Sequence, residues 1–123
     1  MADKPSILLI GNDPSLQYLL ERYTSRANYR LQSLHAIEAH VDLGLMKPQS
    51  IWFSSLEALE AAQPYRSAFL ACNVPIVVCS SIADDARAME LGADYLLLHP
   101  LTYDNFYSML DRPEKRKSSL VVR

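Results

Sequence analysis

Glycine is scarce in this chain of 123 residues, which has three examples, Gly11, Gly44 and Gly92. A phosphate-binding loop of the P-loop or dinucleotide type needs several glycines within a few residues of one another, so this class of site is excluded. The two cysteines, Cys72 and Cys79, have no histidine at zinc-ligand spacing. The sequence therefore predicts two reduced thiols and no metal site.

Long hydrophobic runs are also missing. No apolar stretch approaches the roughly 20 residues of a membrane-spanning helix, and the N-terminus lacks the basic-then-apolar pattern of a signal peptide. Half of the residues are hydrophobic and 21% are charged, which is typical of a globular domain that can bury a core. We expect a cytoplasmic protein with no membrane partner.

The formal net charge of −2 hides an uneven distribution. Residues 1–111 carry 7 Lys and Arg against 13 Asp and Glu, hence −6, whereas residues 112–123 carry 5 against 1, hence +4. No aromatic residues are interleaved with the basic ones of the C-terminal segment, so nucleic-acid binding is not expected. We interpret residues 1–111 as one domain and residues 112–123 as a mobile basic tail.

Four short apolar segments predict buried β-strands, at residues 6–10, 50–53, 75–79 and 95–98. Residues 29–34 alternate more weakly and carry Arg30 and Gln32, which predicts an edge strand. A helical pattern follows each of the five strands, at residues 13–23, 37–45, 56–72 with an interruption at Pro64, 82–91 and 102–111. Asp13 is predicted to cap the first helix and Ser54 the third, where Ser54 and Glu57 match a capping box, while Ser81 could cap the fourth. Strictly alternating strands and helices predict a doubly wound parallel sheet, with any ligand site beyond the carboxyl ends of its strands.

Residues 74–101 have the most specific order of elements. An apolar strand ends in Ser80, a short helix follows, and the sequence Gly92-Ala93-Asp94 leads to a second strand and then to His99-Pro100. Together with the first strand and the acidic residue and proline after it, this order resembles the receiver domain of two-component response regulators over residues 4–111. The resemblance implies a flavodoxin-like (βα)5 fold with five parallel strands in the order 2-1-3-4-5, a role in phosphorelay signalling, and a cis peptide bond before Pro100.

The resemblance also implies which positions would carry phosphoryl transfer. Active receivers hold Mg²⁺ with two acidic residues after the first strand and one Asp after the third, which accepts the phosphoryl group. A Thr or Ser after the fourth strand and a Lys before the last Pro contact the phosphate. The corresponding positions here are Gly11, Asn12, Ser54, Ser80 and His99. Since only Ser80 keeps its type and Asp13 stands one residue late, the resemblance is to a degenerate receiver that binds no Mg²⁺ and is not phosphorylated.

The sequence does not predict an enzyme. A serine such as Ser54 is a weak nucleophile unless a base activates it, and His99 stands where receivers carry a phosphate-binding cation. No third group that would orient such a pair is evident.

Two functions remain open at this point. The first is a protein-interaction module that binds a histidine kinase, another signalling protein or a second copy through the last two helices and the fifth strand. Tyr95, Tyr103 and Tyr107 are the candidate residues of this partner face, although Tyr95 should point away from the face that carries Leu96. The alternative is a sensor of a small ligand or anion, with a pocket formed by Asn12, Ser54, Ser80 and His99.

Overall fold

All strands of the computed structural model run parallel in one sheet. The structure describes residues 4–38 and 41–110 and the short strand at residues 121–122. In chain order the strands are β1 (Ser6–Ile10), β2 (Arg30–Leu34), β3 (Ser50–Phe53), β4 (Ile76–Ser80), β5 (Tyr95–Leu98) and β6 (Val121–Val122). They lie in the order β2-β1-β3-β4-β5-β6. The predicted flavodoxin-like order 2-1-3-4-5 is therefore confirmed, with one short strand added beside β5.

Helices cover both faces of the sheet. They are α1 (Pro14–Arg26), α2 (Leu43–Met46), α3 (Leu56–Ala61), α4 (Arg66–Ala71), α5 (Asp85–Glu90) and α6 (Tyr103–Leu110). A 3₁₀ turn at Gln63–Tyr65 separates α3 from α4, at the predicted interruption by Pro64. The core on one face includes residues of α1 and α6, and the core on the other includes residues of the remaining four helices.

The sequence of the strands explains this two-sided core. Successive side chains of a strand point to opposite faces, so Ile7 and Leu9 enter the α1 and α6 core, while Leu8 and Ile10 enter the other. Every residue of β1, β3 and β4 is buried. Strand β2 is only partly buried, with Arg30 exposed, which fits an edge position.

Two predicted helices are shorter than expected. The helix expected at residues 37–45 is wrong for most of its length, because α2 is a single turn that begins after Asp42, whose carboxylate accepts the amide hydrogen of Gly44 at 3.0 Å. The helix expected from residue 82 begins at Asp85 instead. Asp84 caps it by accepting the Arg87 amide at 3.1 Å, so the proposed cap at Ser81 is also wrong. In both places the helix begins later than predicted because an aspartate farther along the chain caps its first turn.

The predicted basic tail lies outside the described residues, apart from Val121 and Val122. These two form β6, which pairs with β5 so that Leu96 lies opposite Val121 and Leu97 opposite Val122. The pairing places a strand of the same chain along the free side of β5.

The peptide bond between His99 and Pro100 is cis, as predicted. Within the described ranges no helix has both the length and the apolar character that are needed to cross a membrane. The cytoplasmic location stays a prediction.

Asp94 links the start of β5 to the start of β4 by hydrogen bonds to Ile76. Its carboxylate oxygen Oδ2 accepts the Ile76 amide hydrogen at 2.9 Å, and its own amide donates to the Ile76 carbonyl at 2.7 Å. The side chain is buried, with 6% of its surface exposed. If this carboxylate were removed, the buried Ile76 amide would lose a hydrogen bond that water could not replace, which would lower the stability of the protein.

We expect Asp94→Ala to lower the free energy of unfolding by about 1.5–3 kcal/mol, since it leaves the Ile76 amide without this acceptor. Asp94→Asn keeps one acceptor oxygen and should lose less. Urea denaturation measures both, with the exposed Asp104→Ala as a matched control. An Asp94→Ala protein as stable as the parent would contradict this assignment.

Candidate functional site

The carboxyl ends of β1, β3, β4 and β5 meet at one edge of the sheet. The register pairs Ile10 with Phe53, so the residues that follow them, Gly11 and Ser54, are neighbours. The Ser54 amide donates to the Ile10 carbonyl at 3.0 Å. On the other side, the His99 amide donates to the Ser80 carbonyl at 2.9 Å. The edge is thus formed by two pairs of neighbouring residues.

Gly11 and Ser54 pack closely against each other. Gly11 is buried and has a φ of +136°, a conformation that other residues rarely adopt. A Cβ atom added to it would lie 1.9 Å from Ser54 Oγ and 2.8 Å from Ser54 Cβ. With Ser54 in place, no side chain fits at position 11.

Asp13 supplies the carboxylate nearest to this pair in the sequence, and it is bound to the backbone. Its Oδ1 accepts the Leu16 amide hydrogen at 3.1 Å, which caps α1 and confirms the predicted role. Among residues 4–38 and 41–110, no three His, Cys, Asp or Glu side chains are grouped closely enough to hold a metal ion.

Ser54 does not cap the helix that follows it, so the predicted capping box with Glu57 is wrong. Ser55 is the cap, because its Oγ accepts the Ala58 amide hydrogen at 3.0 Å. The reason is that the Ser54 amide still bonds to β1, so the chain leaves the sheet one residue later. Ser54 is buried, with 4% of its surface exposed.

The four residues of the alternative ligand pocket are in different environments. Ser54 and Ser80 are buried, whereas Asn12 and His99 are exposed. The Ser80 hydroxyl accepts the Ile82 amide hydrogen at 3.0 Å and so stabilises the turn after β4. His99 does line a groove of about 410 Å³ at this edge, whose other lining residues are Asp13, Ser15, Leu16, Leu19, Pro100 and Leu101.

Neither cysteine forms a disulfide, as predicted. Burial, and to a lesser extent the negative charge of Asp13, raises the pKa of the Cys79 thiol from 9.0 to about 12. The thiolate is the nucleophilic form. Cys79, although it lies next to Ser80, therefore stays protonated and unreactive near neutral pH.

The three candidate tyrosines of the partner face do not share one environment. Tyr95 has 2% of its surface exposed and belongs to the core beneath α1 and α6, so its assignment to an exposed face is wrong. Leu96 belongs to the opposite core, which confirms that the two side chains point in opposite directions. Tyr103 is half-buried, and Tyr107 is 48% exposed.

Several solved structures with this architecture are response regulators. A chemotaxis response regulator of Vibrio cholerae matches with a TM-score of 0.73 and 14% identity, over 89% of this chain and 98% of that one. A two-component response regulator from Clostridium difficile matches with a TM-score of 0.67 and 19% identity, over 89% and 98%. The chain has the receiver fold. A response regulator from Burkholderia pseudomallei, whose structure contains a phosphorylated aspartic acid, a calcium ion and citrate, matches with a TM-score of 0.69 and 20% identity, over 88% of this chain and 67% of that one.

These likenesses concern the receiver fold and not the chemistry of its site. No protein-family model and no curated protein matches the sequence. Identities of 14–20% are compatible with different side chains at every functional position. What the strand ends of this receiver fold can do must be argued from their own residues.

We expect Gly11→Ala to destabilise the protein by about 1–3 kcal/mol, because the new methyl group would overlap with Ser54 Oγ. Adding Ser54→Gly should recover part of this loss by removing the overlap, while the strain of the positive φ remains. Urea denaturation of the two single variants and the double variant measures the coupling free energy. Gly44→Ala, at an exposed glycine, is the control. Strict additivity of the two changes would contradict the proposed contact.

Proposed function

We propose that this protein is a receiver-like signalling module of a phosphorelay system that binds a protein partner without being phosphorylated. The receiver fold supports the general assignment. The packing of Gly11 against Ser54 is the observation that supports the lack of phosphorylation. The space in which active receivers would carry carboxylates is filled here by a neutral glycine–serine contact.

Mg²⁺ binding is lost in this proposal. Magnesium takes oxygen ligands in near-octahedral geometry and is usually held by carboxylates. Gly11, Asn12 and Ser54 bring no carboxylate, and the nearby Asp13 is bound to the first turn of α1. The residues present do not fit this cation, so no step of the proposed function passes through it.

The proposal also excludes an enzyme that uses Ser54 and His99. Strand β4 lies between the strands that precede these two residues, and neighbouring strands are about 4.8 Å apart. Ser54 is buried, whereas His99 is exposed. A base must reach the hydroxyl within hydrogen-bond distance to activate it, and this arrangement does not favour such contact.

Partner binding would use helix surfaces. Three large apolar side chains are exposed near α5 and α6. The exposed fraction is 64% for Ile82, 46% for Met89 and 48% for Tyr107. They lie before α5, on α5 and on α6, and exposed side chains of this kind commonly mark protein interfaces. Because β6 already pairs with β5, a kinase, another signalling protein or a second copy would dock on the helices and not on the strand edge.

A sensor of a small ligand or anion is the second candidate. The groove beside His99 supports it, since an apolar wall with two titratable side chains, Asp13 and His99, could hold a small molecule. The burial of Ser54 and Ser80 speaks against the larger pocket that the sequence suggested. The interaction module is therefore the better supported function.

Incubation with Mg²⁺ and acetyl phosphate tests the proposal. We expect the intact mass to stay unchanged in mass spectrometry, because the strand ends lack both an acceptor carboxylate and the ligands of the cation. An active receiver treated in the same way is the positive control. A phosphoryl adduct on any residue would refute the proposal, and the Ser54→Ala variant would show whether Ser54 carries it.

A further inference from the structure

A row of tyrosines and arginines runs across the outer surface of α1 and onto α6. Its members are Tyr18, Arg22, Arg26, Tyr103 and Tyr107, and together they are called the tyrosine–arginine surface below. Tyr18, Arg22 and Arg26 are spaced four residues apart, which places them along one face of α1. The exposed fraction is 62% for Tyr18 and 48% for Tyr107.

Ring contacts link the members of the row in two groups, Tyr18 with Arg22, and Arg26 with Tyr103 and Tyr107. The guanidinium carbon of Arg22 lies 5.9 Å from the centre of the Tyr18 ring, and that of Arg26 lies 4.0 Å from the centre of the Tyr103 ring. Tyr103 and Tyr107 stack with 5.7 Å between ring centres. Both arginines are thus within the range of cation–π attraction.

Buried aromatic residues hold this surface in place. Tyr23 contacts Tyr103 edge-on at 5.4 Å, and its hydroxyl donates to the Leu101 carbonyl at 3.2 Å. The fully buried Phe106 lies 6.0 Å from Tyr103 and 5.6 Å from Tyr23. A partner would therefore meet rings that are already ordered, which lowers the entropic cost of binding.

Glu21 lines the same groove as the two arginines but, among the described residues, forms no ion pair with either of them. In the described part of the chain, neither Arg22 nor Arg26 forms an ion pair with a carboxylate, whereas Arg87 pairs with both Glu60 and Glu90. A guanidinium stacked on a ring keeps its N–H groups at the edge available, and these bind a carboxylate in a two-pronged geometry.

We propose that the tyrosine–arginine surface binds an acidic peptide segment of a protein partner. This inference rests on the proposed function, because it gives the interaction module a second docking surface on α1 and α6, which shares Tyr107 with the exposed apolar side chains near α5, and states the chemistry of binding there. Carboxylates of the segment would bond to Arg22 and Arg26, while its apolar atoms would cover the tyrosine rings. Tyrosine and arginine are also the residues most enriched among those that dominate interface energies.

Single-stranded nucleic acid fits this surface less well. Arg26 and Tyr107 already pack against Tyr103, which limits the stacking of bases on its ring. The surface contains two cations, whereas grooves that bind single strands follow the backbone with a continuous row of positive charge.

Fluorescence anisotropy with a labelled peptide of alternating glutamate and glycine tests the inference. We expect saturable binding, and we expect the double variant Arg22→Gln/Arg26→Gln to weaken it at least about tenfold, since charge-assisted hydrogen bonds would be lost. The Arg22→Lys/Arg26→Lys variant keeps the two positive charges but loses the planar guanidinium groups. Its affinity for the peptide should lie between that of the parent protein and that of the Arg22→Gln/Arg26→Gln variant. A peptide with glutamine in place of every glutamate should not bind.

Arg30→Gln/Lys47→Gln is the matched control, because both residues are exposed and line a groove away from this surface. It removes the same charge and should change the affinity by less than about twofold. No binding of the glutamate peptide, or an equal loss in this control, would overturn the inference. Tighter binding of a single-stranded oligonucleotide, or self-association that Arg22→Gln/Arg26→Gln abolishes, would replace the acidic peptide by another occupant and would also overturn it.

The outcomes for the two proposals are distinguishable. A protein that binds the glutamate peptide but gains a phosphoryl group would refute the proposed function and leave the surface assignment standing. A protein that is not phosphorylated and does not bind the peptide would refute the surface assignment alone. Circular dichroism of each variant shows that it is folded, so that a loss of binding can be assigned to the missing side chains.

Discussion

Burial of the central strands on both faces is the constraint on which the rest of the structure depends. Strands β1, β3 and β4 have no exposed residue, so polar groups that could act on a ligand can appear only where the strands end. In this chain the end of β1 and the end of β3 contact each other directly, through Gly11 and Ser54. Two small neutral residues therefore close this part of the edge of the sheet.

The remaining polar groups at the same edge have structural roles of their own. Asp13 caps α1 and Ser80 fixes the turn after β4, so both side chains bond to nearby backbone amides. The thiol of Cys79 is kept protonated by burial. Asp13 and Ser80, which the sequence suggests as candidate site residues, thus stabilise the local fold. A group of exposed tyrosines and arginines lies instead on α1 and α6, where Arg26 packs on Tyr103.

Much of the fold, but less of the site, could be predicted from the sequence. Apolar runs bounded by Pro5, Gly11 and Gly92 predicted the strands, because hydrophobic burial is a property of each segment. The order of the strands in the sheet was implied by the resemblance to receiver domains. The capping-box pattern favoured Ser54, because Glu57 stands three residues after it. The pairing of β3 with β1 overrides that pattern and leaves Ser55 as the cap. The positions of Tyr95 and Tyr103 depend on how α1 and α6 pack on the sheet, which no local pattern encodes.

The most direct test of the closed site is a titration with Mg²⁺ that is followed by the backbone amide resonances of the ¹⁵N-labelled protein. The account predicts no saturable shift for Gly11, Asn12 and Ser54, because these residues offer the cation no carboxylate and Asp13 is held by α1. Uniform small changes from ionic strength would be matched by a titration with NaCl. Saturable shifts of these three amides with Mg²⁺ and not with NaCl would contradict the account.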